Sequence, residues 1–179
     1  MFAKLAKPLS LAAIAVVAVI AQPRVSHAGR DFAPIAKPKP AVVMPDRNMH
    51  DGVVKVKSAY SMAETIARLQ NDIVDKKIMI FTVVDQARLA AAAGIDLGPS
   101  TLLIFGNPPL GTQFLTSNPI AGLDWPVRLL VYEDRNHDVW LAYTDFEYIA
   151  QRHGIADRGA AFKMASNVIA SIASSVQPK

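Results

Sequence analysis

Two strand ends carry the side chains best suited to chemistry in this sequence. Asp85 ends one apolar run, and the turn Gly106-Asn107-Pro108-Pro109 ends the next. If the two strands are parallel neighbours, both ends lie at one edge of the sheet, where ligands gather in open sheets. Asp85 is then a candidate catalytic base, with the amides of Gly106 and Asn107 as oxyanion donors. The predicted ligand-binding residues are Asp85, Gln86, Phe105, Gly106, Asn107 and Pro108.

The same residues have structural interpretations. Asp85 directly precedes Gln86-Ala87-Arg88, as the N-cap of a helix does, and capping explains it more simply than catalysis. Asn107 fits ordinary turn chemistry.

The residue types give less support to a metal site or to cysteine chemistry. Asp134, Asn136, Asp138 and Asp145 match oxygen positions of a calcium loop, but Val139 stands where such a loop needs Gly. A polar hairpin turn is therefore favoured there. The chain has no cysteine, which excludes thiolate metal sites, catalytic thiols and disulfides. The sequence predicts neither a metal site nor a cofactor.

The histidines have no ligand spacing on a common element. His153 is expected in the last turn of a helix, where its ring complements the helix dipole. No G-x-S-x-G elbow supports a Ser-His-Asp triad either.

Hydrophobic periodicity predicts the elements that position these residues. A capping box at Ser61-Met62-Ala63-Glu64 opens a helix, another at Thr144-Asp145-Phe146-Glu147 opens a second, and Asp157 is expected to cap the last. Residues 78–84 are predicted to be buried on both faces, and residues 111–117 to form a loop with one helical turn. Strands are expected at residues 53–58, 78–84, 101–105, 127–132 and 139–143.

The predicted fold class is α+β, in the order β-α-β-α-β-(α)-β-β-α-α. Strands joined through helices suggest parallel neighbours and the hairpin adds antiparallel ones. We therefore expect two layers, a mixed β-sheet of about five strands with helices mainly on one face.

The N-terminal segment predicts export. Lys4 and Lys7 precede an apolar run that ends before Ser26-His27-Ala28, which is typical of a signal peptide over residues 1–28 that is cut after Ala28. A Pro- and Lys-rich flexible linker over residues 29–51 and a single domain over residues 52–179 follow. The mature protein is expected in the periplasm or outside the cell, without stable membrane insertion.

The numbers of basic and acidic residues in the mature chain indicate which classes of partner it could bind. Removing Lys4, Lys7 and Arg24 from the 19 basic residues leaves 16 against 15 acidic ones. Such a near-neutral chain gives no support for a nucleic-acid partner.

Several segments together resemble a known family. They are Thr101-Leu-Leu-Ile-Phe105-Gly-Asn-Pro108, Asp85 before an Ala-rich helix, Leu123-Asp124-Trp125-Pro126, and Val131-Tyr-Glu-Asp134 before a strand over residues 140–143. From about Val53 to Val176 the chain resembles domain-of-unknown-function family 302 (DUF302). The resemblance implies a compact α+β fold, commonly dimeric, without an established reaction. Members often carry His where this chain has Gln86, which implies that an activity using that His is missing here.

Three functions follow as hypotheses. The leading one is an exported binding or stress-related module, expected as a homodimer, with a small-ligand site where Asp85 and Asn107 meet. The second is a hydrolase or isomerase-like enzyme with Asp85 as base beside the Gly106-Asn107 turn. The third is a structural homodimeric protein that uses its apolar C-terminal helix as the contact.

Overall fold

Five strands form one sheet in the computed structural model, which describes residues 51–178. The predicted signal peptide, its predicted cleavage site and all but the last residue of the predicted linker lie outside the described residues. The strands are β1 (Val53–Lys57), β2 (Met79–Asp85), β3 (Ser100–Gly106), β4 (Val127–Glu133) and β5 (Val139–Thr144). The helices are α1 (Met62–Asp75), α2 (Gln86–Ala92), α3 (Pro108–Ser117), α4 (Phe146–Arg152) and α5 (Gly159–Ser174), with a 3-10 helix at Pro119–Leu123.

Neighbouring strands are antiparallel throughout this sheet. The spatial order is β1-β5-β4-β3-β2, and all four pairs run in opposite directions. The α+β class and the five strands are confirmed, but the parallel neighbours that would make the sheet mixed do not occur. Only α1 joins two strands that run in the same direction, β1 and β2, and these lie at opposite edges of the sheet. The connections through α2 and α3 join antiparallel neighbours, so a helix between two strands did not imply a parallel pair.

The prediction that residues 78–84 are buried on both faces is wrong. β2 is an edge strand, and its Met79, Phe81 and Val83 side chains are exposed. Its apolar run therefore does not reflect a central position. The interior strand β3, next to β2, buries Leu103 and Phe105 on one face and only half-buries Leu102 and Ile104 on the other.

The core lies between one face of the sheet and four of the helices, which confirms helices mainly on one face. Leu103, Leu129 and Leu141 are fully buried on the sheet side. Each of the four helices contributes buried apolar side chains, as Leu69 of α1, Phe114 of α3, Phe146 of α4 and Ile169 of α5 illustrate.

The C-terminal helix is used within its own domain. Phe162, Ile169 and Ile172 of α5 are buried in the core, and Met164 is its one large apolar side chain with high exposure. The stripe that we expected to contact a partner is therefore already covered. Within residues 51–178, no helix has the length and apolar character needed to cross a membrane.

Local capping largely follows the sequence. The Ser61 hydroxyl accepts a hydrogen bond from the Glu64 amide at 3.4 Å, as predicted. Helix α4 begins one residue later than the predicted box, because Asp145 is its N-cap and accepts from the amide of Glu147. Asp157 does not cap α5: its carboxylate accepts a hydrogen bond from the Ser117 hydroxyl at 2.5 Å instead.

Residues 108–117 form a ten-residue helix rather than a loop with one turn. The two prolines that suggested a turn occupy its first positions, where a missing N–H costs nothing and the fixed φ suits a helix.

The predicted hairpin of β4 and β5 is confirmed, and Asp134 organises its turn. One carboxylate oxygen accepts the amides of Asn136 and Asp138, and the other accepts the indole N–H of Trp140. Burial raises the pKa of Asp134, but these hydrogen bonds outweigh it and hold the pKa below its ordinary value. The carboxylate is thus used by the turn. Residues 51–178 contain no group of three His, Cys, Asp or Glu side chains arranged to hold a metal ion.

Candidate functional site

A small apolar cavity lies where the end of β3 meets α3 and α5. Its volume is about 40 Å³, room for about three water molecules at roughly 10–15 Å³ each. The walls come from Phe105 and Gly106, from Leu110, Gly111 and Phe114 of α3, and from Trp125, Val127, Phe146, Ile78, Ala165, Val168 and Ile169. Asn107 is the one hydrogen-bonding side chain among the described residues around it apart from the Trp125 indole.

Two glycines allow Trp125 to form part of this wall. A Cβ atom on Gly111 would lie 1.9 Å from the indole Nε1 of Trp125, and one on Gly106 would lie 3.2 Å from the same ring. Phe81 packs edge-to-face on Trp125, with the ring centroids 6.1 Å apart. The indole therefore lies directly against the backbone of both β3 and α3.

A wider groove adjoins the cavity. Its volume is about 640 Å³, within the range of about 300–1,000 Å³ for small-molecule sites. The groove and the cavity share Ile78, Asn107, Leu110 and Val168. The two therefore meet at one mouth, with an apolar pocket behind a more polar groove.

The groove carries positive charge without lining carboxylates. Among the described residues, its walls include Lys76, Lys163, Asn107, Asn167 and Ser171, and no Asp or Glu. Lys76 is neutralised by Asp72, whose carboxylate oxygens lie 2.6 Å from its Nζ. Lys163 has no ion pair within residues 51–178. Its ammonium group is the charge that remains available to a ligand.

The start of α3 offers no amide to an anion. Pro108 and Pro109 have no N–H, and the amides of Leu110 and Gly111 donate to Asn107. Gly106 pairs with Met79 in the sheet. The oxyanion donors expected from the Gly106-Asn107 turn therefore have little support in this geometry.

The predicted site residues fall into two separate groups. Phe105, Gly106 and Asn107 line the cavity, and exposed Pro108 starts α3 beside it. Asp85, in contrast, pairs with Thr101, whereas Gly106 pairs with Met79 at the other end of β2. Six residues of strand separate these positions by about 20 Å. The structure does not bring Asp85 to Asn107, because the two strands are antiparallel.

Asp85 and Gln86 have local roles at their own end of the sheet. The Asp85 carboxylate accepts the Arg88 amide at 2.9 Å, which makes it the N-cap of α2. Gln86 accepts a hydrogen bond from the Ser100 hydroxyl at 2.8 Å, which ties α2 to β3. The capping interpretation of Asp85 is confirmed.

The sequence analysis missed a buried Asp–His pair beside the cavity. Nε2 of His153 lies 2.6 Å from Oδ2 of Asp124, and the two side chains are 4% and 5% exposed. Arg152 lies 3.1 Å from the same carboxylate, and Arg128 donates to the Leu123 carbonyl. Since Asp124 directly precedes Trp125, the pair anchors the segment that presents the indole to the cavity.

Only one signal for this pair was visible in the sequence. Asp124 belongs to the Leu123-Asp124-Trp125-Pro126 segment, but its partner lies 29 residues away. His153 itself ends α4 as its C-cap, where we expected it.

The family comparison covers most of the described domain. A model of the family described as "Domain of unknown function DUF302" matches residues 54–173. A similar fold occurs in the crystal structure of an uncharacterized conserved DUF302 protein from Bacillus stearothermophilus. The TM-score is 0.65 at 17% identity, with 70% of this chain and 98% of that chain covered, so this likeness concerns the fold alone.

Curated relatives are similar over a shorter stretch. Proteins named "Fluoride-specific ion channel FluC 1" from Brucella suis biovar 1 and from Brucella abortus biovar 1 are 41% identical over 104 residues, 58% of this chain. The match spans 41% and 38% of those proteins, so the chain corresponds to about two fifths of their length.

Proposed function

This chain belongs to the DUF302 family, and we propose that it is an exported binding module for a small organic anion with an apolar part. The observation that carries the proposal is the position of Lys163 in a groove that opens beside an apolar cavity. A carboxylate or similar group would bind the ammonium, the end of the apolar part would enter the cavity, and the rest of the apolar part would lie in the groove.

The distribution of charge favours an anion over a cation. Among the described residues, no carboxylate lines the groove, and the Asp72 carboxylate beside it is already bound to Lys76. A cationic ligand would meet Lys163 without a compensating negative charge among the described lining residues. An anionic group gains a charge-assisted hydrogen bond there, which contributes more than a neutral one.

A polar side chain at the mouth supports orientation of such a ligand. Asn107 lines both the cavity and the groove, and its side-chain NH₂ group donates to no residue within 51–178, because only its oxygen is used, by the Leu110 amide. A few directed polar groups around an apolar pocket are typical of small-molecule sites. The proposal assigns no reaction, since Asp85 lies at the opposite end of β2 and His153 is bound to Asp124.

Octanoate is a suitable first probe, because it joins a carboxylate to a short apolar chain. We expect saturable chemical-shift changes at Asn107, Leu110 and Val168 in a heteronuclear NMR titration. Octylammonium, which has a similar chain and the opposite charge, should bind more weakly.

Two charge variants make the test specific. Lys163→Gln should weaken octanoate binding about tenfold, because a charge-assisted hydrogen bond contributes about 1.5–3 kcal/mol and partial solvation reduces this. Lys55→Gln on β1, remote from the groove lining, is the matched control and should leave the affinity unchanged. Equal affinity in the wild type and Lys163→Gln would contradict the proposal.

A second candidate function comes from the curated relatives. These proteins are named as fluoride-specific ion channels, and the 41% identity over about two fifths of their length supports a domain that senses fluoride beside such a channel. Sodium fluoride should then shift resonances of the groove at concentrations where sodium chloride does not. Identical responses to the two salts would remove this candidate.

A further inference from the structure

The walls of the apolar cavity include aromatic rings that are already packed against other rings or against backbone. Phe114 stacks on Phe162, with the ring centroids 4.2 Å apart, and lies 6.2 Å from the ring of Phe146. Trp125 lies directly against the backbone at Gly111. Among residues 51–178, no methionine lines the cavity, so the side chain that adapts its shape most readily is missing. Because packed interiors yield little, the volume of the cavity is a firm limit on what enters.

That volume restricts the shape of the group that fits. The cavity measures about 40 Å³, which is room for about three water molecules. A methylene or methyl group is similar in size to a water molecule, so the cavity accepts about three carbon atoms of a ligand. A benzene ring has twice as many, and an apolar protein cavity that binds benzene measures about 150 Å³. The cavity therefore fits the end of an unbranched chain and is too small for a ring.

The polarity of the lining favours carbon over water in this space. A buried water molecule needs about two to four polar partners. The side chains around the cavity offer it only Asn107 and the indole of Trp125 among the described residues. Water in the cavity is therefore poorly hydrogen-bonded, and its displacement by an apolar group favours binding.

Helix α5 contributes to both the groove and the cavity. Lys163 lines the groove, Ala165 lines the cavity, and Val168 lines both. Lys163 and Val168 are five residues apart, about 7.5 Å along the helix axis, so a ligand held by the ammonium needs carbon atoms in the groove before its end reaches the mouth. Ala165 is 4% exposed, and its single methyl group leaves open the space that a larger side chain would fill.

We infer that the site selects an unbranched alkyl carboxylate, and that Ala165 sets how many carbon atoms of its chain enter the cavity. The inference rests on the proposed function and adds the shape of the apolar part, which an anion site by itself leaves open. Burial of each methylene contributes about fourfold in affinity, which corresponds to ~0.8 kcal/mol. Chains that reach the cavity gain this factor, and chains that end in a ring do not.

A comparison of three carboxylates by NMR titration tests the shape of the site. Octanoate should bind about 16-fold more tightly than hexanoate, because two more carbon atoms reach the cavity at about fourfold each. A phenylpentanoate with its ring at the end of the chain is larger than octanoate but should lose this gain. It should bind about as tightly as hexanoate, because its ring stays in the groove.

Two variants test the role of the cavity wall. Ala165→Val adds two carbon atoms to the wall, so hexanoate and octanoate should then bind with equal affinity. Ala161→Val is the matched control, because Ala161 is also buried on α5 but lines neither the cavity nor the groove. It should keep the 16-fold difference expected from about fourfold per methylene. Val168→Phe, at the half-buried mouth, blocks the cavity without adding volume to the core, and should also remove the difference if Ala165→Val does not fold.

The outcomes separate failure of the cavity's role from failure of the proposed function. Absence of octanoate binding, or binding that Lys163→Gln leaves unchanged, would overturn the proposed function and this inference with it. The role of the cavity alone would be overturned by Lys163-dependent binding in which the phenylpentanoate matches octanoate. It would equally be overturned if the difference between octanoate and hexanoate survived in both Ala165→Val and Val168→Phe.

Discussion

Nε2 of His153 lies 2.6 Å from Oδ2 of Asp124, and this contact joins the end of α4 to the segment before β4. Asp124→Ala should lower the free energy of unfolding by about 1–3 kcal/mol, because it leaves the buried imidazole of His153 without its hydrogen-bond partner. The remaining positive charges of Arg128 and Arg152 would add to the loss. Unfolding in denaturant measures this loss in the free energy of unfolding.

A surface ion pair provides the control. Lys57 and Asp138 are 2.7 Å apart but 53% and 37% exposed, so Asp138→Ala should cost under about 1 kcal/mol. Equal losses in the two variants would show that the Asp124 contact does not hold the fold.

Asp85 is expected to act only as a helix cap. Asp85→Asn should be nearly neutral for stability, because Asn caps about as well, whereas Asp85→Ala should cost about 1 kcal/mol. Octanoate affinity should be unchanged in both variants, since Asp85 lies at the far end of β2 from the cavity. If Asp85→Asn lost octanoate binding without losing stability, Asp85 would be a ligand-binding residue and not only a cap.

Gly111 is required by the position of Trp125. Gly111→Ala should destabilise the protein by about 1–3 kcal/mol, because the new methyl group overlaps the indole and forces it to move. Tryptophan fluorescence should change together with the unfolding midpoint.

Gly159→Ala is the matched glycine control. It lies at the start of α5 with no atom within 4 Å of the added Cβ, so it should be neutral or stabilise by up to about 1 kcal/mol. A Gly111→Ala protein as stable as this control would disprove the tight contact with Trp125.

His137 should titrate above its ordinary range. Its Nδ1 lies 2.6 Å from Oε1 of Glu133, and this hydrogen bond, with the charge of Glu133, raises the pKa of His137 above 6.5. The stability that this contact adds is therefore complete below the pKa of His137 in the unfolded chain. It is lost as the pH rises through the higher pKa of His137 in the folded protein. NMR titration of the imidazole should show a lower pKa in Glu133→Gln.

Export should produce a chain that begins at Gly29. The predicted signal peptide ends at Ala28, so intact-mass measurement on protein from the exporting host should show the loss of residues 1–28. Recovery of the Met1 form from the membrane fraction would contradict cleavage.

The sequence alone determined the elements whose signals are local. Two strand-like runs around a polar turn, residues 127–132 and 139–143, predicted the hairpin. Ser61 and Asp85 were recognisable as caps because a cap needs only a side chain and an amide three residues away. The family resemblance also rested on short strings, including Phe105-Gly-Asn-Pro108, which line or adjoin the cavity.

Tertiary structure alone decided which strands are neighbours and in what sense. The apolar run of β2 fits a buried or an edge strand equally well, and only the antiparallel pairing with β3 separates Asp85 from Asn107. The contact of His153 with Asp124 crosses 29 residues, and neither residue carries a local pattern that names the other. Periodicity and helix caps depend on residues a few positions apart in the chain, whereas strand order and buried side-chain hydrogen bonds depend on which distant surfaces exclude water together.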